Sequence, residues 1–62
     1  MVVVKKSKMT TFSTAHYELY CDDVAELDGY EPHFIIEAGS LAYTKTGDLA
    51  IYDGNEWNVV GG

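Results

Sequence analysis

A chain of 62 residues with one cysteine, ten Asp and Glu, four Lys and no Arg makes one small domain that no intrachain disulfide can staple. From Met9 onward a single Lys (Lys45) stands against all ten acids, a net charge of −9; such a body repels phosphate and disfavours direct nucleic-acid binding. No apolar run approaches the length of a membrane span, and the apolar start precedes its lysines, the reverse of a secretory signal, so neither a membrane nor a secretory role is expected.

In chain order, Val2, Val3 and Val4 have strong β propensity and are expected to pair when another chain offers an edge. Lys5, Lys6 and Lys8 follow in a polar, Ser- and Thr-rich stretch. Residues 1–13 therefore read as an extended basic arm, either solvated or lying on the acidic body of a neighbouring subunit. Residues 14–62 read as a small β domain. From Ala15 to Cys21 the alternation predicts a strand, with Ala15, Tyr17, Leu19 and Cys21 on one face and His16, Glu18 and Tyr20 on the other. Asp23 followed by Glu26 is a capping signal, and Asp28-Gly29 leaves room for only one 3₁₀ or α turn. His33 to Glu37 predicts a second short strand, and Ala38-Gly39-Ser40 a bend.

The last third carries the most specific pattern. Apolar residues alternate in 41–44, 49–52 and 57–60, separated by Lys45-Thr46-Gly47-Asp48 and Asp53-Gly54-Asn55-Glu56. Period-two alternation broken by such turns predicts an antiparallel β-meander. Trp57 and Val59 share one face, expected to be the buried one. The fold class is thus mostly β: a small antiparallel meander, one short helical turn and an extended N-terminal arm.

Catalytic groups are sparse. His16 with Ser13 or Thr14, and Cys21 with His33, are the only nucleophile–base candidates, and no elbow motif or oxyanion loop accompanies them. No catalytic residue is assigned, and the chain is read as a non-enzyme. Asp48, Asp53, Asn55 and Glu56 invite a calcium reading, but their spacing fits no calcium loop, and Asp-Gly is ordinary turn chemistry. Two His and one Cys make no zinc site, so no metal or cofactor is expected. One unpaired cysteine suits a reducing cytoplasm. The aromatic content is high, and Tyr17, Tyr20, Tyr43, Tyr52 and Trp57 are expected at an intersubunit surface, where one end of a ring is dry and the other wet; stacking on sugars is the alternative. A chain this short buries only about 60% of the surface that its unfolded form exposes. With disulfide and metal excluded, oligomerisation is the remaining staple.

Gly39-Ser40-Leu41-Ala42-Tyr43, then Thr46 to Gly54, then Glu56-Trp57, resembles a motif of tailed-phage structural proteins. In that family a Gly-Ser bend opens a strand with an aromatic, a Thr-Gly turn leads to a strand ending in Tyr, and an Asp-Gly turn precedes a Trp. Tyr17 to Tyr20 and Val24 to Leu27 are similar to the lead-in that accompanies it, although Asp28-Gly29 stands where that family commonly has a Pro-containing loop. The resemblance covers Ala15 to Gly62. It implies a non-enzymatic virion component, a head-fibre, decoration or tail-associated protein assembled in the host bacterial cytoplasm. It also implies self-association, with a trimer expected by analogy with phage fibres, and binding to another virion protein. A second resemblance is to the ubiquitin-like sulfur carriers, which end in a reactive Gly-Gly as this chain ends in Gly61-Gly62; their fold needs a central helix of three or more turns. In the virion reading those glycines are a flexible tail past the last strand. An acidic DNA-mimic inhibitor of a host nuclease is the third alternative.

Overall fold

The alternation beginning at Thr14 produces the longest strand, which pairs with three others. In the computed structural model, which describes residues 1–61, six strands form. They are β1 Val3–Met9, β2 Thr14–Cys21, β3 Ile35–Ile36, β4 Leu41–Thr44, β5 Leu49–Tyr52 and β6 Trp57–Gly61. All lie in one sheet, in the order β1-β2-β4-β5-β6, with β3 beside the start of β2.

β4, β5 and β6 are the expected antiparallel meander. Its two turns use Gly47 and Gly54 at φ +95° and +101°, the left-handed region where a Cβ is penalised. Side chains close both turns. The Thr44 Oγ1 accepts from the Asp48 N–H at 2.9 Å. The Asp53 carboxylate accepts from the N–H groups of Asn55 and Glu56 at 2.7 and 2.8 Å.

β2 is parallel to both β3 and β4, and a parallel pair needs a crossover connection. Residues 22–34 supply it. Asp23 caps the single 3₁₀ turn Val24–Leu27, accepting from the Ala25 N–H at 3.0 Å, while Glu26 accepts from the Asp23 N–H at 3.2 Å, the reciprocal capping box that the sequence signals.

β3 and β4 are two halves of one interrupted strand along the same flank of β2. The N–H groups of Ile35, Glu37 and Lys45 donate to Ser13, Ala15 and Cys21 carbonyls, each at 2.9 Å. The ladder breaks at the Ala38-Gly39 bend. There the Tyr17 N–H finds a side chain instead of a carbonyl: the wholly buried Ser40 Oγ accepts it at 3.0 Å. Ser40 also joins the meander, its carbonyl accepting from the Tyr52 N–H at 2.9 Å.

The faces divide as the alternation predicts. Ala15, Tyr17, Leu19 and Cys21 are buried on the inner face and pack with Leu27, Ala42 and Ala50 beneath the crossover. One inner row, Val4–Leu19–Ala42–Ala50–Val59, crosses all five strands. Its three central residues are fully buried, whereas Val4 and Val59 are 44% and 53% exposed.

Three expectations are corrected. Val3 to Met9 is extended, but it pairs antiparallel with β2 of its own chain rather than with another chain's edge. The Thr10–Ser13 loop makes this pairing local: the Thr10 N–H donates to the Thr14 carbonyl at 3.0 Å and the Thr11 hydroxyl accepts from the Thr14 N–H at 3.1 Å. Closing so short a loop costs little chain entropy, so a boundary at residue 13 cuts a hairpin. Gly61 belongs to β6, opposite Leu49, and not to a tail; Gly62 lies outside the described residues. Trp57 and Val59 do share the inner face, but Trp57 is only half-buried and Val59 is exposed, because β6 lies past the reach of the crossover.

Ser40→Ala removes the only side-chain oxygen at the break and strands a buried N–H. It should lower stability by about 1–3 kcal/mol, read as a drop in the urea midpoint at constant slope. An unchanged midpoint would mean that the Tyr17 N–H has another acceptor.

Candidate functional site

Two surfaces on opposite faces of the sheet gather the chain's unspent chemistry. On the inner face, the crossover and the β5–β6 turn leave a cleft of about 360 Å³ between them. Tyr52 and Trp57 face each other across paired positions of β5 and β6 and form one wall. Their ring centroids are 5.1 Å apart and tilted by 52°, a favourable arrangement for two rings. Leu27, Tyr30 and Ile36 form the opposite wall, and Asp28 and Glu56 stand at the lining. A second lobe of about 340 Å³ shares Tyr30, Ile36 and Tyr52 and runs on past Pro32 and Phe34. Ring faces beside carboxylates suit an apolar or cationic side chain from a partner.

Each wall rests on a short turn held by an ionised carboxylate. The Glu26 carboxylate pairs with the Met1 amino group and accepts from the N–H groups of Asp22 and Asp23, which hold it below the usual carboxylate range. The N–H groups of Glu56 and Asn55, with the Asn58 amide, do the same for Asp53.

On the outer face the register assembles a row that no single segment reveals. Val3, Tyr20, Tyr43 and Leu49 lie side by side on β1, β2, β4 and β5. At about 4.8 Å per strand this apolar band is roughly 14 Å wide. The next row, Lys6–Glu18–Leu41–Ile51–Asn58, begins with an opposite-charge pair.

The expected contact residues therefore separate. Tyr20 and Tyr43 meet on the outer face with Val3, while Tyr52 and Trp57 meet in the inner cleft. Lys5 is the bulge residue of β1, and Lys6 and Lys8 stand opposite Glu18 and His16. Val2 and Val4 lie near or on the inner face, Val2 packing against the core. Tyr17 is not a contact residue. It is 3% exposed, and its hydroxyl accepts from the Phe34 N–H at 3.2 Å, so its amphipathic character is spent inside the domain. Cys21 ends β2, whereas His33 stands two residues before Ile35, which pairs with Thr14 at the strand's other end, so the two are not brought together; burial pushes the Cys21 thiol up. Phe12, 96% exposed at the tip of the β1–β2 hairpin, was not expected as a contact residue; its signal is a lone aromatic in a run of Ser and Thr.

Comparison with protein-family models, curated proteins and solved structures finds no match to this chain.

Two outcomes follow for the cleft. Both carboxylates are held below their ordinary values, so their contribution is complete above the unfolded values of about 3.9–4.3 and is lost as pH falls through the lowered ones. Trp57 emission should stay flat from pH 7 to about pH 5 and change only below about pH 4; a transition centred near pH 6 would assign control of the cleft to a histidine instead. Trp57→Ala removes a half-buried ring and its aromatic partner, and should cost about 2–3 kcal/mol, less than a fully buried Trp would. An unchanged thermal melt would place Trp57 outside the fold's support.

Proposed function

We propose that this chain is a non-enzymatic structural protein of a tailed-phage virion, acting by self-association and by binding another virion protein. What supports the reading is the work done by the residues that carry the resemblance. Gly39-Ser40 sets the bend and mends the ladder, Gly47 and Gly54 make the turns, and Tyr52 and Trp57 pair across the last two strands. The motif is a folding device for a small sheet, and it leaves binding surfaces rather than a reaction centre.

Self-association is favoured by the shape of the core. The sheet is covered on one face only, over its middle strands, while both edge strands and the Val3–Tyr20–Tyr43–Leu49 band remain open. Exposed apolar bands of this kind mark interaction surfaces. The aromatic cleft and Phe12 are then the contacts for the second virion protein. The sulfur-carrier reading is weaker on two counts: the crossover carries one 3₁₀ turn in place of a long helix, and Gly61 is paired in β6.

Mass spectrometry of purified particles from the phage encoding the chain should find it as a multi-copy component. Phe12→Ser should lower its incorporation without changing its circular dichroism or melting temperature, because the ring touches almost nothing in the domain. Absence from the particle, or adenylylation of Gly62 by an activating enzyme, would overturn the reading.

A further inference from the structure

Both edge strands of the sheet carry exposed valines, and the charges on one edge and beside the other are of opposite sign. β1 contains Lys5, Lys6 and Lys8 with no acid, whereas β6 is uncharged and follows Asp53 and Glu56. An isologous pairing of two β1 edges would bring six lysines together, and one of two β6 edges would bring four carboxylates together. Only β1 against β6 joins unlike charges. Like charges at a contact cost several kcal/mol in discrimination, so charge alone chooses between the three ways that two such edges can meet.

Strand direction agrees. β2 and β4 run one way, β5 opposes β4, and β6 opposes β5, so β6 runs with β2. β1 opposes β2 and therefore also opposes β6. If successive copies keep the same orientation, β6 of one meets β1 of the next antiparallel, the slightly stronger ladder. We propose that copies of this chain join head to tail, β6 of one against β1 of the next, into a sheet that continues across the boundary. This pairing presupposes the self-association proposed above and adds which edges meet and in what register.

The register follows from the inner row. Val4–Leu19–Ala42–Ala50–Val59 ends on a half-exposed valine at each edge, so continuing it sets Val59 directly opposite Val4 of the next copy and covers both. With the β1 bulge at Lys5 retained, the same register sets Asn58 opposite Lys6 on the outer face and brings Lys8 level with Glu56, the turn residue just before β6. The apolar match and the charge match fall in the same register. A heterologous contact of this kind closes into a ring if the rotation per copy allows it and otherwise runs on as a filament.

Sedimentation of the wild-type chain comes first. A folded monomer at hundreds of micromolar would defeat the self-association reading itself. Given an oligomer, Val4→Cys and Val59→Cys chains, one of them isotopically labelled, are mixed and oxidised with oxidised glutathione, each new disulfide releasing two reduced glutathiones. The native Cys21 is fully buried and stays out of the exchange. Mixed disulfides should exceed either self-paired product by about fivefold or more, as directly opposed Cβ atoms allow. Excess Val4→Cys or Val59→Cys self-pairing would show an isologous edge, and an oligomer that forms neither product would show joining through the outer face; each overturns the edge assignment alone. Lys8→Glu and Glu56→Lys, both on exposed side chains that the fold does not use, should each weaken association about three- to tenfold in low salt, and the double variant should regain wild-type assembly. A double variant no better than either single one would overturn the register.

Discussion

The rest of the structure depends on the parallel pairing of β2 with the interrupted strand β3/β4, and Ser40 is what lets the interruption stand. A parallel neighbour forces the chain to leave the sheet and return over one face. Residues 22–34 are all the chain allots to that return, and they carry only one 3₁₀ turn. Thirteen residues cannot roof five strands. The buried hydrophobic residues therefore lie on β2, β4 and β5 and on Leu27 of the crossover, while β1, β6 and the outer face are left without a cover. Those surfaces are open because the connection is short.

How much was legible in the sequence depended on the range of the interaction. The meander could be read because its alternation and its Gly-containing turns act within a few residues of each other. The capped turn could be read because Asp23 and Glu26 satisfy amides next to them. The alternation in β2 gave the inner and outer faces correctly. What could not be read was pairing between distant segments. Ser40 reads as a bend residue, and only the approach of Tyr17, 23 residues away, makes its hydroxyl part of a ladder. Val3 to Met9 reads as an arm because nothing in its own composition names β2 as its partner.

The site residues follow the same rule. Counting tyrosines identified residues suited to a half-wet position, but the two-residue period could not say which of them meet. Tyr20 and Tyr43 are adjacent only through the β2–β4 register. Tyr17 has the same chemistry as either and is buried, because it lies under the crossover where the Phe34 N–H supplies its hydroxyl with a partner. Phe12 escaped notice because one aromatic in a polar loop has no periodicity at all.

In the proposed assembly, the lysines of β1 decide which edge that strand can accept. An exposed seven-residue edge with three valines or methionines invites indiscriminate pairing, and charges on an edge strand are a standard protection against it. In this chain the protection is selective. Lysines repel a second β1 edge, whereas they attract an edge flanked by the carboxylates of Asp53 and Glu56. Screening falls within about 8–10 Å at 0.1–0.15 M salt, which confines that choice to groups brought face to face. Under the proposed head-to-tail pairing, the order of charges along the sheet decides which open edge of this half-roofed domain completes which.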